Sequence, residues 1–200
     1  MKKPAHSSTV TEQRREELVR AAFNQIAEHG FEGLRTRDVA DEVGVNIATL
    51  HYYFPTKESL IQGVLDQAMA KFRSTLEPHG SPSDQLRNHL RAVRKLMADD
   101  PQVATVMGEL ALRSSRDKSI AAIMDKMYEY WHTTMRGLLR RAVREGGAPA
   151  ELDSDSVASL IITTLTAATL PQLRGSNRSD QAFRQLERWL GLGARKISSN

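Results

Sequence analysis

The chain has 200 residues, of which 40% are hydrophobic and 26% charged, and its formal net charge is +4. That is the composition of one globular domain or two small ones, neither fibrous nor disordered. Cysteine is absent, which excludes disulfide scaffolds, cysteine-ligated zinc, iron–sulfur clusters and thiol catalysis. Residues 1–10 carry Lys2 and Lys3 but no apolar run, so they read as a flexible arm rather than a secretory leader. The longest uncharged stretch, Ser156 to Leu173, holds six Ser or Thr and is too polar for a membrane span. The chain is therefore expected to be soluble and cytoplasmic.

Apolar residues recur at helical spacing nearly throughout. Val19, Ala22, Phe23 and Ile26 mark a first helix, with a capping box from Thr9 to Glu12 before it and Gly30 closing it. Short helices follow over about Thr36 to Val43 and Asn46 to Tyr53, the second ended by Pro55. Thr56 caps a longer helix with the stripe Ile61, Val64, Ala68, Phe72 and Leu76, and Pro78, Gly80 and Pro82 mark a loop. A fifth helix carries Leu86, Leu90, Val93 and Met97 and stops near Pro101; a sixth carries Val103, Val106, Met107 and Leu110. The seventh runs from Ile120 to Ala142 and closes at Gly146-Gly147, the eighth holds Val157 to Ala168, and the ninth Phe183, Leu186 and Leu190. No period-2 strand or Asn-Gly hairpin signal interrupts them. The fold class is all-α, about nine helices: a three-helix head over residues 11–57 and a larger bundle over 58–200.

The informative stretch is Thr36 to Phe54. Ala40 is small enough for a close helix crossing, and Gly44 can take positive φ at a tight turn. Val39, Val43, Val45 and Leu50 give the pair an inner apolar face. Asn46, Ile47, Thr49, His51 and Tyr52 are left on the outer face of the second helix, with sizes that suit a major groove. Lys57 and the free amides at the next helix start make an anion site.

The segment from about Glu12 to Leu60 resembles the DNA-binding head of the tetracycline-repressor (TetR) family. The matching pieces are His29-Gly30-Phe31-Glu32-Gly33, Leu34-Arg35-Thr36-Arg37-Asp38-Val39-Ala40, Val43-Gly44-Val45, and Tyr53-Phe54-Pro55-Thr56-Lys57-Glu58-Ser59-Leu60. The resemblance implies that Thr36 caps its helix against a phosphate and that Arg37 reaches a base edge or phosphate. It implies that Asn46, Ile47 and Thr49 read bases, that Tyr52 and Tyr53 touch backbone or thymine methyls, and that Lys57 binds phosphate. His51 stands where the family commonly has Tyr. The partners implied are an operator duplex, a second copy of the chain and a small-molecule effector, with no cofactor, no metal and no membrane.

In the body, Met97, Met107, Leu110, Met127, Tyr128, Trp131 and Met135 suit an adaptable apolar pocket. Stripes at this spacing are more often plain core packing. Glu109, Asp125, Glu129 and His132 are candidate polar anchors, and acids beside Trp131 and Tyr128 would suit a cationic effector. Leu160, Ile161, Thr164, Leu165, Ala168, Phe183, Leu186 and Leu190 are the expected dimer face, two helices from each copy forming a four-helix bundle. A catalytic role has little support: hydrolase, P-loop and dinucleotide motifs are missing, and Glu129-x-x-His132 is a single copy of a pattern that di-iron bundles need twice. The alternative is an all-helical binding protein without DNA affinity. Net charge does not separate the two readings. Residues 1–57 hold eight basic and eight acidic side chains, so the whole excess lies in residues 58–200.

Overall fold

A computed structural model describes residues 6–173 and 176–192. Lys2, Lys3, Arg195 and Lys196 lie outside them. The described residues form nine helices and no strand. The head is α1 (His6–Gly33), α2 (Thr36–Glu42) and α3 (Ile47–Tyr53). The body is α4 (Lys57–Arg73), α5 (Pro82–Asp99), α6 (Pro101–Ser114), α7 (Lys118–Arg144), α8 (Ser154–Ala167) and α9 (Asn177–Trp189).

Helix α1 starts at His6, so Thr9 lies inside it rather than capping it. Its far end is set by Gly30, whose φ of +72° breaks the regular helix before Phe31. Leu18, Ala22 and Ile26 of α1 meet Val39, Leu50, Phe54 and Leu60 in a core with essentially no exposed side chain. Leu50→Ala at its centre costs about 2–5 kcal/mol, because a fully buried side chain leaves a cavity when shortened. α4 is tied to this core by a close crossing: a Cβ on Gly63 would lie 2.8 Å from Val19 Cγ2 and 3.2 Å from Phe54 Cε1. The same helix then buries Val64, Leu65, Ala68 and Phe72 in the body. It therefore belongs to both halves.

Two prolines open helices rather than loops. Pro82 follows the Ser81 cap, and Pro101 opens α6 one residue after α5 ends; proline fits a first-turn position, where its missing N–H would have no partner. The expected loop therefore ends at Ser81, not Pro82. Thr56 caps α4 in a reciprocal capping box with Ser59.

Arginines spaced along one face of α5 clamp α9. Arg87 Nε donates to the Leu192 carbonyl at 2.6 Å, Arg91 pairs with Glu187 at 3.3 Å, and Arg94 pairs with Asp180 while lying over the Phe183 ring. His89, on the same helix, is fully buried. Thr75 gives its hydroxyl proton to the Phe72 carbonyl at 2.6 Å. That assigns the 2.7 Å contact between Thr75 Oγ1 and His89 Nδ1 to an imidazole N–H donor. Nε2 then has no partner, and burial pushes the imidazole down to about 4.

Candidate nucleic-acid interface and buried cavity

The α2–turn–α3 unit is fixed from within. Gly44 takes φ +71°, Val45 N–H donates to the Ala40 carbonyl at 2.9 Å, and Arg14 of α1 donates to the Val43 carbonyl at 3.4 Å. Thr36 is the first residue of α2 and not its cap. The cap position is Arg35, whose side chain makes no capping bond. The first amides of α2 are thus open to an incoming phosphate.

Asn46 is the cap of α3. Its Oδ1 accepts from Thr49 N–H at 2.8 Å and from the Thr49 hydroxyl at 3.0 Å. The amide nitrogen of Asn46 and the lone pairs of Thr49 Oγ1 remain for a base or phosphate. Arg37, His51 and Tyr52 are exposed, Tyr52 by 77%. Tyr53 is half-buried, and its ring meets Tyr52 edge-on at 5.2 Å. Ile47 leans on the head core instead of projecting freely. Lys57 is the largest departure from expectation. Its ammonium donates to the Leu34 carbonyl at 2.9 Å and stands 4.9 Å from the Phe31 ring centre. Only its remaining donors are available to a phosphate.

The residues that join head to body were not among those expected to act together. Phe31 N–H donates to Glu109 Oε2 of α6 at 3.0 Å, and Glu32 pairs with Arg113 at 2.7 Å. The Phe31 ring has Lys57 and Arg113 both near 5 Å from its centre. A side chain on Gly30 would press on Glu109, since a Cβ there would lie 3.1 Å from Oε2. Glu109 is therefore a junction residue and not a pocket anchor.

The expected pocket is closed. Met97, Met107, Tyr128 and Trp131, with Phe72, Leu165, Thr166 and Thr169, enclose about 10 Å³. Trp131 packs on Phe72 with ring centres 5.4 Å apart. Leu110 and Met135 are buried in the core away from this space, and Met127 lines a separate shallow cleft between α4 and α7. The polar anchors are elsewhere too. Asp125 and Glu129 are exposed, and His132 faces the Asp155 carbonyl and Ser159 hydroxyl. No acid lines the cavity, so the expectation of a cationic effector loses its basis. Trp131 Nε1 is buried without an acceptor.

Of the eight residues expected to face a second copy, Ile161, Leu165, Ala168, Phe183, Leu186 and Leu190 are already buried within one chain. The periodic stripe that suggested a partner is the inner face of α8 and α9. Leu160 stays exposed and Thr164 half-exposed, and Leu170 and Trp189 join them as large exposed apolar side chains.

Comparison with known proteins gives consistent matches. The model of the tetR family of bacterial regulatory proteins matches residues 18–64, and that of a tetracyclin repressor-like C-terminal domain matches residues 76–184. The chain is 28% identical over 170 residues to the nucleoid occlusion factor SlmA of Photobacterium profundum, covering 82% of this chain and 81% of that one. It is 25% identical over 155 residues to the HTH-type transcriptional repressor KstR2 of Mycobacterium tuberculosis, covering 76% and 77%. A TetR transcription regulator from Haloarcula marismortui superimposes with a TM-score of 0.78 at 20% identity, over 90% of this chain and 97% of that one.

Proposed function

The chain belongs to the tetR family of bacterial regulatory proteins, and from that premise we propose a dimeric, effector-released repressor acting in the cytoplasm on its own operator. Each α3 enters a major groove, with Arg37, Asn46, Thr49, His51 and Tyr52 as the reading surface. The two heads meet half-sites about one helical turn, or a multiple of it, apart. The partner copy packs on the outer stripe of α8 and α9, through Leu160, Thr164, Leu170 and Trp189. Ile161, Leu165, Ala168, Phe183, Leu186 and Leu190 act beneath it as the core that keeps the stripe in place.

One observation carries the regulatory part. Met107 of α6 lines the buried cavity, while Glu109 of the same helix accepts the Phe31 N–H of the head. An effector that enlarges the cavity moves α6, and α6 cannot move without pulling on α1 just past Gly30. Full switching of operator occupancy from 99:1 to 1:99 requires about 5.5 kcal/mol of difference in effector affinity between the two states. Effector and operator then weaken each other's binding by equal factors.

The test is a mobility-shift titration on the protein's own promoter region. A shifted band that competitor DNA of unrelated sequence does not remove supports the reading. Uniformly weak binding to every duplex refutes it.

A further inference from the structure

We propose that the effector is an uncharged, largely apolar molecule bearing a hydrogen-bond acceptor oxygen, that Trp131 Nε1 donates to this oxygen, and that Met97 is the door through which it enters. The inference rests on the effector-released reading above and gives that site its chemistry.

The first support is the unpaired donor. Trp131 is 5% exposed, and its indole N–H has no acceptor among the described residues. Buried donors are almost always satisfied, so an unpaired one on a residue that lines a cavity calls for an acceptor from outside the chain. The second support is charge. The cavity lining is thioether, aromatic, aliphatic and hydroxyl, with no Lys, Arg, Asp or Glu. Burying an ion there without a counter-charge is prohibitive, so a carboxylate or ammonium ligand is excluded. Thr169 gives its proton to the Thr166 carbonyl at 2.8 Å, so its hydroxyl has no proton left for a ligand and the indole N–H is the donor on offer.

The third support is access. Met97 lines the closed cavity and also a neighbouring open cleft of about 270 Å³ between α5, the end of α8 and α9. The cleft is walled by Ala98, Pro101, Ala168 and Phe183. Its two charges, Arg94 and Asp180, neutralise each other. An unbranched thioether changes rotamer readily. When Met97 turns aside, cleft and cavity merge into a space near the lower end, about 300 Å³, of ordinary small-molecule sites.

Menthone, menthane and menthane carboxylate are matched probes: one ring skeleton as ketone, hydrocarbon and anion. Binding to the full chain is read by calorimetry at neutral pH. The ketone should bind about tenfold more tightly than the hydrocarbon, the value of one hydrogen bond to an otherwise unpaired donor. The carboxylate should not bind measurably. Trp131→Phe keeps an aromatic ring in the lining but removes the N–H, so the ketone's advantage over the hydrocarbon should disappear. With the wild-type protein, the indole ¹⁵N–¹H resonance of Trp131 should move markedly downfield with menthone, which accepts its hydrogen bond, and show only a smaller packing shift with menthane. Tighter binding of the carboxylate, an unshifted indole resonance, or failure of all three probes in a protein that still binds operator would overturn the proposal. If the ketone binds as described but operator affinity does not change, the chemistry of the site stands and the effector-released reading fails.

Discussion

Glu109 shows how much can hang on one side chain. It is the acceptor for Phe31 N–H, so Glu109→Ala leaves that amide without a protein partner. The expected loss is about 1–3 kcal/mol, which for a chain of this size lowers Tm by about 2–4 °C per kcal/mol. Scanning calorimetry measures the loss, and an operator titration with and without effector should show a weaker response than in wild type. His89 sets a second test. Its folded value of about 4 lies below the ordinary 6.5. The unfolded chain therefore takes up a proton first as pH falls. The stability that neutral His89 provides is full above 6.5 and declines from there to about 4. Each pH unit inside the window removes about 1.4 kcal/mol. Unfolding free energies from urea titrations at about pH 7 and about pH 5 should thus differ by about 2 kcal/mol, and His89→Leu should flatten that slope. Asp84, Asp117 and Asp153 do not disturb the measurement. The hydroxyls of Ser81, Ser119 and Ser156 hold these three carboxyls below 3.8, so they titrate under the window.

At the scale of elements, α3 and α8 give contrasting tests. Tyr52 is exposed at the end of α3, and the proposed reading gives its hydroxyl a phosphate rather than a base. Tyr52→Ala should weaken binding about five- to tenfold on every duplex alike. Thr49→Ala should instead change which operator variant binds best, and it also removes a hydroxyl bond to the α3 cap. A mobility-shift series over single-base operator variants separates the two outcomes. On α8, Leu160→Arg places a charge in the proposed interface without touching the core, since Leu160 is exposed in the single chain. Sedimentation at micromolar concentration should then give a monomer with an unchanged helical spectrum; a persisting dimer would remove α8 from the interface. What the sequence disclosed at this scale was local. The cap at Thr56, the closure of α1 at Gly30 and the positive φ of Gly44 are short-range features that residue type dictates, whereas Pro82 and Pro101, expected in a loop and at a helix stop, open α5 and α6. The faces of α8 and α9 were misjudged. A periodic apolar stripe does not say whether it meets its own chain or a second copy.

At the scale of the whole molecule, the nine helices of the described residues and the helix-turn-helix head were legible, because period and turn chemistry agree along the chain. The junction was not. Glu109 and Phe31 are separated by 78 residues, and no local pattern ties them. The pocket was half legible: Met97, Met107, Tyr128 and Trp131 do line one space, but its closure depends on rotamers that sequence does not specify. The bond from Lys57 to the Leu34 carbonyl spans 23 residues, so no local pattern showed that part of its donor capacity is already used. The even charge of the head has a measurable counterpart. Non-specific DNA affinity should be modest and should fall steeply with added salt, as a log–log titration would record.

Met107 and Glu109 are two positions apart on α6, which turns about 100° per residue, so they project from nearly opposite sides of one short rod. This has a consequence for how such a regulator can diversify. On the proposed coupling, a substitution at Met107 that admits a new effector should also reset the resting position of Glu109, so altered ligand preference should arrive with altered leakiness of the promoter. Met97, on α5, carries no such tie. Directed evolution that seeks a biosensor with a new ligand and an intact dark state should therefore begin at Met97 and leave α6 as it is.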